Sequence, residues 1–283
     1  MKLIRYGLPG EERPGVVLED GTQVDVSALT EDYDEAFFAG DGPERLRAWL
    51  AEGNGEPIAG ESRLGPPIKR PSKIICVGLN FFDHAKESKM KVPDEPVLFM
   101  KASSALSGPY DDIVLPRGSE KTDWEVELAF VIGRTARYVE EFESLDYVAG
   151  YAVLNDVSER SYQIERGGQW VKGKSCDTFA PVGPYLVTPD EIDDVYDLQM
   201  WLRVNGTLMQ DGSTAKMVFR VPRLVSYISR FMTLLPGDIV STGTPAGVGL
   251  GMDPPQYLKR GDIVELGIEK LGDMRQVVVS DDA

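Results

Sequence analysis

Nine consecutive residues constrain this chain more than any others: Trp124-Glu125-Val126-Glu127-Leu128-Ala129-Phe130-Val131-Ile132. The last five are apolar without a break, which suggests a strand buried on both faces. Side chains two apart on a strand share a face. Glu125 and Glu127 would therefore point one way, and Trp124, Val126, Leu128 and Phe130 the other. A bare Glu-x-Glu is ordinarily an exposed face. The apolar run argues for burial here, and two carboxylates buried side by side need a counter-charge.

The surrounding sequence is rich in strand signals. SKIICVGL, PVLFMKA, TDWEVELAFVIG, DYVAGYAVLND and DLQMWLRVNGTLMQ all read as strands. Asn205-Gly206 is a hairpin turn signal. Gly237-Asp238-Ile239-Val240 and Gly261-Asp262-Ile263-Val264 repeat a turn-then-strand pattern. Helices are few: short ones near SLDYV and VSERSYQIER, and the clearest over VPRLVSYISRFMTLL. Earlier in the chain, KLIRYG, PGVVLE and TQVDVS read as strands and PERLRAWLAEG as a helix, a small leading α+β module. Pro66, Pro67 and Pro71 mark its end, so we divide the chain into 1–65 and 66–283. The fold class expected is α+β and mainly β, without regular βαβ units.

Composition narrows the function. The 283 residues carry a net charge of −16, which repels phosphate backbones and disfavours a nucleic-acid partner. No apolar stretch reaches the roughly 18 residues of a membrane span, and the start lacks the apolar core of a secretory signal. A cytoplasmic protein without a membrane partner is the expectation. Two cysteines, Cys76 and Cys176, form no zinc-type pattern. The chain has a single histidine, His84, so any mechanism that needs an imidazole must use it.

Two motifs mislead. Gly168 to Ser175 spells the phosphate-binding G-x-x-x-x-G-K-S, but that motif needs a buried strand before it and a helix after it. A polar segment precedes it here, and Pro181 and Pro184 follow. Asn205-Gly206-Thr207 matches a glycosylation pattern and reads better as the hairpin turn.

Asp156 ends a second apolar strand and could add a third carboxylate to Glu125 and Glu127. Three carboxylates suit a hard divalent cation; an Asp at a strand end is also commonly a turn or cap residue. His84 and Glu87, three apart on an expected helix over 81–89, share a face. A carboxylate beside an imidazole sets its tautomer and raises its basicity, as a general base requires. Spacing alone leaves open an incidental pair on a solvated helix.

Five segments together are more specific: V-G-L-N-F-x-x-H-A-x-E, W-E-V-E-L, N-D-V-S-x-R-x-x-Q, G-G-Q-W-x-x-G-K-S-x-D-T-F-x-P-x-G-P and S-T-G-T-P-x-G-V-G, in that order. From about Pro71 onward the chain closely resembles the fumarylacetoacetate hydrolase family, and overall it is most similar to the branch that hydrolyses 2,4-diketo-3-deoxy sugar acids. The resemblance implies a mixed β-roll, usually dimeric, behind a small N-terminal domain. It implies Mg²⁺ or Mn²⁺ on Glu125, Glu127 and Asp156, with Ca²⁺ able to replace them. It implies that His84 and Glu87, on a mobile lid, prepare water and that Lys174 is the family lysine. It places Arg160, Gln163 and Thr244 in the substrate pocket, with Lys101 a further candidate. Gly243 and Gly247 would shape the backbone around Thr244. Leu79 and Phe81 replace Arg and Tyr of some relatives, so contacts to the far end of the substrate would differ. Cys176 would line the site or support it, not act as nucleophile.

The function implied is metal-dependent hydrolysis of the C3–C4 bond of a 2,4-diketo acid, giving pyruvate and a second acid. For L-rhamnonate or L-fuconate derivatives, in sugar acid catabolism, that acid is lactate. Oxaloacetate decarboxylation, keto–enol tautomerisation, or isomerisation or decarboxylation of a 2-oxo diacid would use the same centre. A non-catalytic metal-binding scaffold would have no use for His84, Glu87 and Lys174.

Overall fold

The computed structural model describes residues 1–87 and 91–281. Strands dominate and the helices are short, the longest being Gly42–Ala51, so the α+β expectation holds. The larger sheet has twelve strands. Its main path runs Glu56–Pro57, Gln23–Asp25, Arg13–Val17, Lys2–Tyr6, Ala180–Val187, Val148–Asn155, Val126–Ile132, Ile239–Ser241, Ile74–Gly78 and Val97–Lys101. Ile239–Ser241 and Ile74–Gly78 are parallel, whereas most other neighbours are antiparallel. A five-stranded sheet, Thr207–Ser213, Gln199–Val204, Ile263–Ile268, Gly272–Ser280 and Ile113–Leu115, packs over the middle of the first.

Val126–Ile132 is buried at every residue, as its apolar run requires. One core joins Leu128, Phe130 and Val153 of the larger sheet to Leu202 and Leu266 of the smaller. The Asn205-Gly206 hairpin forms with φ +51 and +77, the left-handed pair that a type I′ turn needs. The leading strands also form where expected, and Lys2–Tyr6 pairs with Ala180–Val187. Hydrogen bonds of one sheet therefore run across the division at 65 and 66. Within the leading segment a buried Arg5–Asp32 ion pair at 2.6 Å joins the first strand to the loop before the helices.

Three details differ from the sequence expectation. The strand holding the glutamates starts at Val126, because Thr122–Asp123 leaves to pair with Ser158–Glu159. The expected long helix spans only Val221–Ile228. Its continuation is drawn away because Leu234 exchanges backbone hydrogen bonds with Ala136 at 2.9 Å. The helix expected over 81–89 is seen over Phe82–Glu87, and its last two residues lie outside the described residues.

Candidate metal centre and active site

Strand register assembles the centre. Val126–Ile132 and Val148–Asn155 are antiparallel with Val126 opposite Asn155. The end of one strand therefore meets the start of the other, and the Asp156 N–H donates to the Glu125 carbonyl at 2.9 Å. Ile239–Ser241 is antiparallel to the same strand, with Ser241 opposite Ala129. Its exit, Thr242-Gly243-Thr244, consequently passes the two glutamates. Ile74–Gly78 runs parallel beside it and delivers the segment carrying His84 to the same end. The alternation of side chains puts Glu127, Ala129, Ser241, Cys76 and Phe99 on one face. The other face, with Val126 and Leu128, turns toward the smaller sheet.

Glu125, Glu127 and Asp156 are buried, and an oxygen from each lies within 4.8 Å of the others. Their counter-charges come from afar in sequence. Lys174, 2% exposed, donates to Glu125 Oε2 and to Asp156 Oδ2, each at 2.7 Å. Its Nζ also sits 4.9 Å from the centre of the Phe99 ring. Lys101 is as deeply buried and donates to Asp156 Oδ1 at 2.5 Å and to the Val157 carbonyl at 3.0 Å. Arg160 donates to Asp123 Oδ2 at 2.8 Å, to Glu125 Oε1 at 2.7 Å and to Gln163 Oε1 at 3.0 Å. Glu127 is met by neutral donors instead, the Ser241 hydroxyl at 2.5 Å and the Gly243 N–H at 2.9 Å.

The two glutamates are driven in opposite directions. Burial would raise Glu125, but Lys174 and Arg160 hold it well below the usual carboxylate range. Burial, then the negative charges of Asp156 and Glu125, push Glu127 well above that range. Counting Asp123, four buried carboxyl groups face three cationic side chains, and Glu127 is the one without an ion pair, so its negative charge is the one left to be compensated. All-oxygen donors, mutual proximity and excess negative charge fit a hard divalent cation.

His84 Nδ1 faces Glu87 Oε2 at 3.4 Å. A carboxylate can only accept, so in the neutral ring this contact favours the tautomer with its proton on Nδ1 and its lone pair on Nε2. The other Glu87 oxygen accepts the Gly247 N–H at 3.0 Å. Gly247 has φ +105, and a Cβ there would lie 2.0 Å from the Met209 carbonyl oxygen, so only glycine fits. Gly243, at φ +97, is similarly crowded by Asn80 and Val77. The expected backbone role of both glycines is thus visible. Thr244 donates to the Val126 carbonyl and accepts from Gln210, at 2.9 and 2.7 Å.

The false phosphate loop is resolved by its lysine. Val171–Lys174 is a helix of four residues, and Lys174 points into the carboxylates. Trp170 packs edge-on against Phe99, with ring centres 5.2 Å apart. Burial pushes the Cys176 thiol up to about 11, which does not suit a nucleophile. Asp123, Gln210, Asn80 and Ser241 had no role assigned from sequence, although Asn80 and Ser241 are fixed letters of the V-G-L-N-F and S-T-G-T-P motifs. Asn80 is fully buried, donates to the Phe219 and Thr242 carbonyls and accepts from the Phe219 N–H. Those motifs, and the T-D pair beside Glu125, were signals in the sequence, but none reports which backbone groups the side chains meet.

A mixed β-roll with a buried three-carboxylate centre, two buried lysines and an oriented histidine defines a class of enzyme scaffold. Residues 73–279 match the model of the fumarylacetoacetate hydrolase C-terminal family. The chain belongs to the fumarylacetoacetate hydrolase family, as its motifs imply. It is 52% identical over 280 residues to 2,4-didehydro-3-deoxy-L-rhamnonate hydrolase of Sphingomonas sp. (strain SKA58), covering 98% of this chain and 96% of that protein. Among solved structures, fumarylacetoacetate hydrolase from psychrophilic Exiguobacterium antarcticum superposes with TM-score 0.86 at 37% identity, over 99% of each chain. Maleylpyruvate hydrolase from Sphingobium sp. SYK-6, in complex with manganese(II) ion and pyruvate, gives TM-score 0.81 at 34% identity over 99% of each chain. These likenesses support a hydrolase of this family. Among the described residues no helix is long and apolar enough to cross a membrane.

Proposed function

We propose that this protein hydrolyses the C3–C4 bond of a 2,4-diketo acid to pyruvate and a second carboxylic acid. A 2,4-diketo-3-deoxy sugar acid of the L-rhamnonate or L-fuconate type is the substrate class, with lactate as the second product. The observation that carries this reading is the contact chain from His84 to Glu87 to the Gly247 N–H. It holds the imidazole by Nδ1, which in the neutral ring leaves Nε2 to accept a proton, as activation of water demands. Decarboxylation or tautomerisation would not need water to be activated. The substrate named for the Sphingomonas relative and the pyruvate of the Sphingobium structure support the same class.

Glu125, Glu127 and Asp156 would hold Mg²⁺ or Mn²⁺. When bound, the cation supplies positive charge to the 2-oxo acid end of the substrate. His84 Nε2 takes a proton from water as the water oxygen bonds to C4. Glu87 holds the ring and opposes the charge it acquires. When the C3–C4 bond breaks, its electrons pass into the enolate of pyruvate, and C4 leaves as a carboxylic acid. The buried ammonium of Lys174, held at the carboxylate centre, would oppose that negative charge; preorganised charge of this kind is usually the largest catalytic contribution. Return of the proton to C3 completes pyruvate. Arg160 and Lys101 hold the carboxylates Glu125 and Asp156 in place.

The test is pyruvate release from acetylpyruvate, a 2,4-diketo-3-deoxy sugar acid and oxaloacetate, each with Mg²⁺ and with chelator. Metal-dependent pyruvate, fastest from the sugar acid, is the expected result. Turnover of oxaloacetate alone, with carbon dioxide, would replace the hydrolase by a decarboxylase.

A further inference from the structure

Asp123 lies outside the three-carboxylate set and is fully buried, with its carboxylate bound both by Arg160 and by the backbone at 249 and 250. Its Oδ1 accepts from the Gly249 N–H at 2.7 Å and the Trp124 N–H at 2.8 Å. Its Oδ2 accepts from the Leu250 N–H at 3.0 Å and from Arg160 Nε at 2.8 Å. The next residue continues the pattern, because Trp124 Nε1 donates to the Gly247 carbonyl at 3.1 Å. Two adjacent side chains thus grip the backbone of 247–250 at three points. The fit is close: a Cβ on Gly249 would stand 2.8 Å from Asp123 Oδ1 and 2.1 Å from the Gln256 carbonyl oxygen.

The gripped segment is the one that receives Glu87. The Gly247 N–H donates to Glu87 Oε1 at 3.0 Å, and Gly251 faces the same side chain so closely that a Cβ would lie 2.5 Å from Glu87 Cδ. On its far side Asp123 shares Arg160 with Glu125. A continuous path therefore runs from His84 through Glu87, the 247–250 backbone, Asp123 and Arg160 to a carboxylate of the metal centre. We propose that Asp123 and Trp124 are positioning residues that register the His84–Glu87 pair against the carboxylate centre. The catalytic meaning of that registration rests on the hydrolase reading above. The geometric claim does not.

The single histidine makes the claim measurable without substrate, since its imidazole nitrogens give one set of signals in a ¹⁵N-labelled protein. The Mg²⁺-saturated parent should show one tautomer, with the proton on Nδ1. Asp123→Asn and Trp124→Phe, each checked for folding by its thermal transition, should both shift His84 toward the mixed tautomers of a free imidazole. Trp124→Phe keeps an aromatic ring at this buried position while removing the Nε1 donor and part of the indole's packing, so with its thermal transition retained it decides the matter if Asp123→Asn does not fold. Adding Glu87→Gln to Trp124→Phe should then move the signals less than it does in the parent, because the two act through one path. With a turned-over substrate, kcat should fall about 10–100-fold, as for loss of groups that orient a site's ligands, and KM should change little. Unaltered His84 nitrogen signals in the folded variants would overturn the proposal. Absence of turnover in the parent would instead defeat the hydrolase reading and leave the imidazole measurement decisive for this one.

Discussion

Glu125 and Glu127 stand two residues apart and serve under opposite pressures. Glu125 carries its charge against two cationic side chains, while Glu127 is hydrogen-bonded by the Ser241 hydroxyl and the Gly243 N–H and feels Lys174 without an ion pair to it. A divalent cation bound here would relieve Glu127 more than its neighbour, because Glu127 lacks the ion pairs that Glu125 already has. Glu127→Gln should therefore weaken Mg²⁺ binding at least about tenfold by calorimetric titration, an effect on the order of that for altered metal-site partners. Mg²⁺ bound as tightly as in the parent would remove Glu127 from the ligand set. His84→Ala separates the second role. It should lower kcat by about 10²–10⁴-fold, the usual worth of a general base, with Mg²⁺ binding unchanged. Full turnover would exclude His84 as the base.

At the scale of elements, three strand ends and one glycine-rich loop do the assembling. The loop that follows Ile239–Ser241 supplies N–H donors to two different carboxylates, Gly243 to Glu127 and Gly247 to Glu87. Its conformation is therefore part of the site. Gly247→Ala meets both a left-handed φ and the Met209 backbone. Substitution at such a position costs more than the roughly 1 kcal/mol of an ordinary glycine change. For a chain of this size that lowers Tm by at least about 2–4 °C. An alanine variant with parental Tm and turnover would mean that the loop can shift without consequence.

For the molecule as a whole, the carboxylate centre is a site of stored repulsion at the junction of the central strands. Binding a cation to the folded state alone stabilises it by about 2.7 kcal/mol at a hundredfold excess over Kd. Tm should then rise by several degrees, at about 2–4 °C per kcal/mol, and fall back with chelator. Thermal scans with Mg²⁺, Mn²⁺ and chelator check this. A Tm indifferent to all three would refute a metal centre at this place.

The local parts of this protein are written in neighbouring residues. The run from Leu128 to Ile132 dictates a strand buried on both faces, Asn205-Gly206 dictates a hairpin, and the spacing of His84 and Glu87 puts them together on a helical turn. Periodicity and turn chemistry act over a few residues, so one sequence suffices to read them. Asp156 was legible as a third carboxylate at a strand end, and the family motifs added Lys174, without saying which protein groups the two meet. Tertiary structure alone decided that Lys174 stands between Glu125 and Asp156, that Lys101 and Arg160 spend their charge on carboxylates, and that Asp123 grips the loop beneath Glu87. Those contacts join residues 18 to 126 positions apart. They depend on which strands pair and in what register, and register is set by burial of the whole core, which no local window contains.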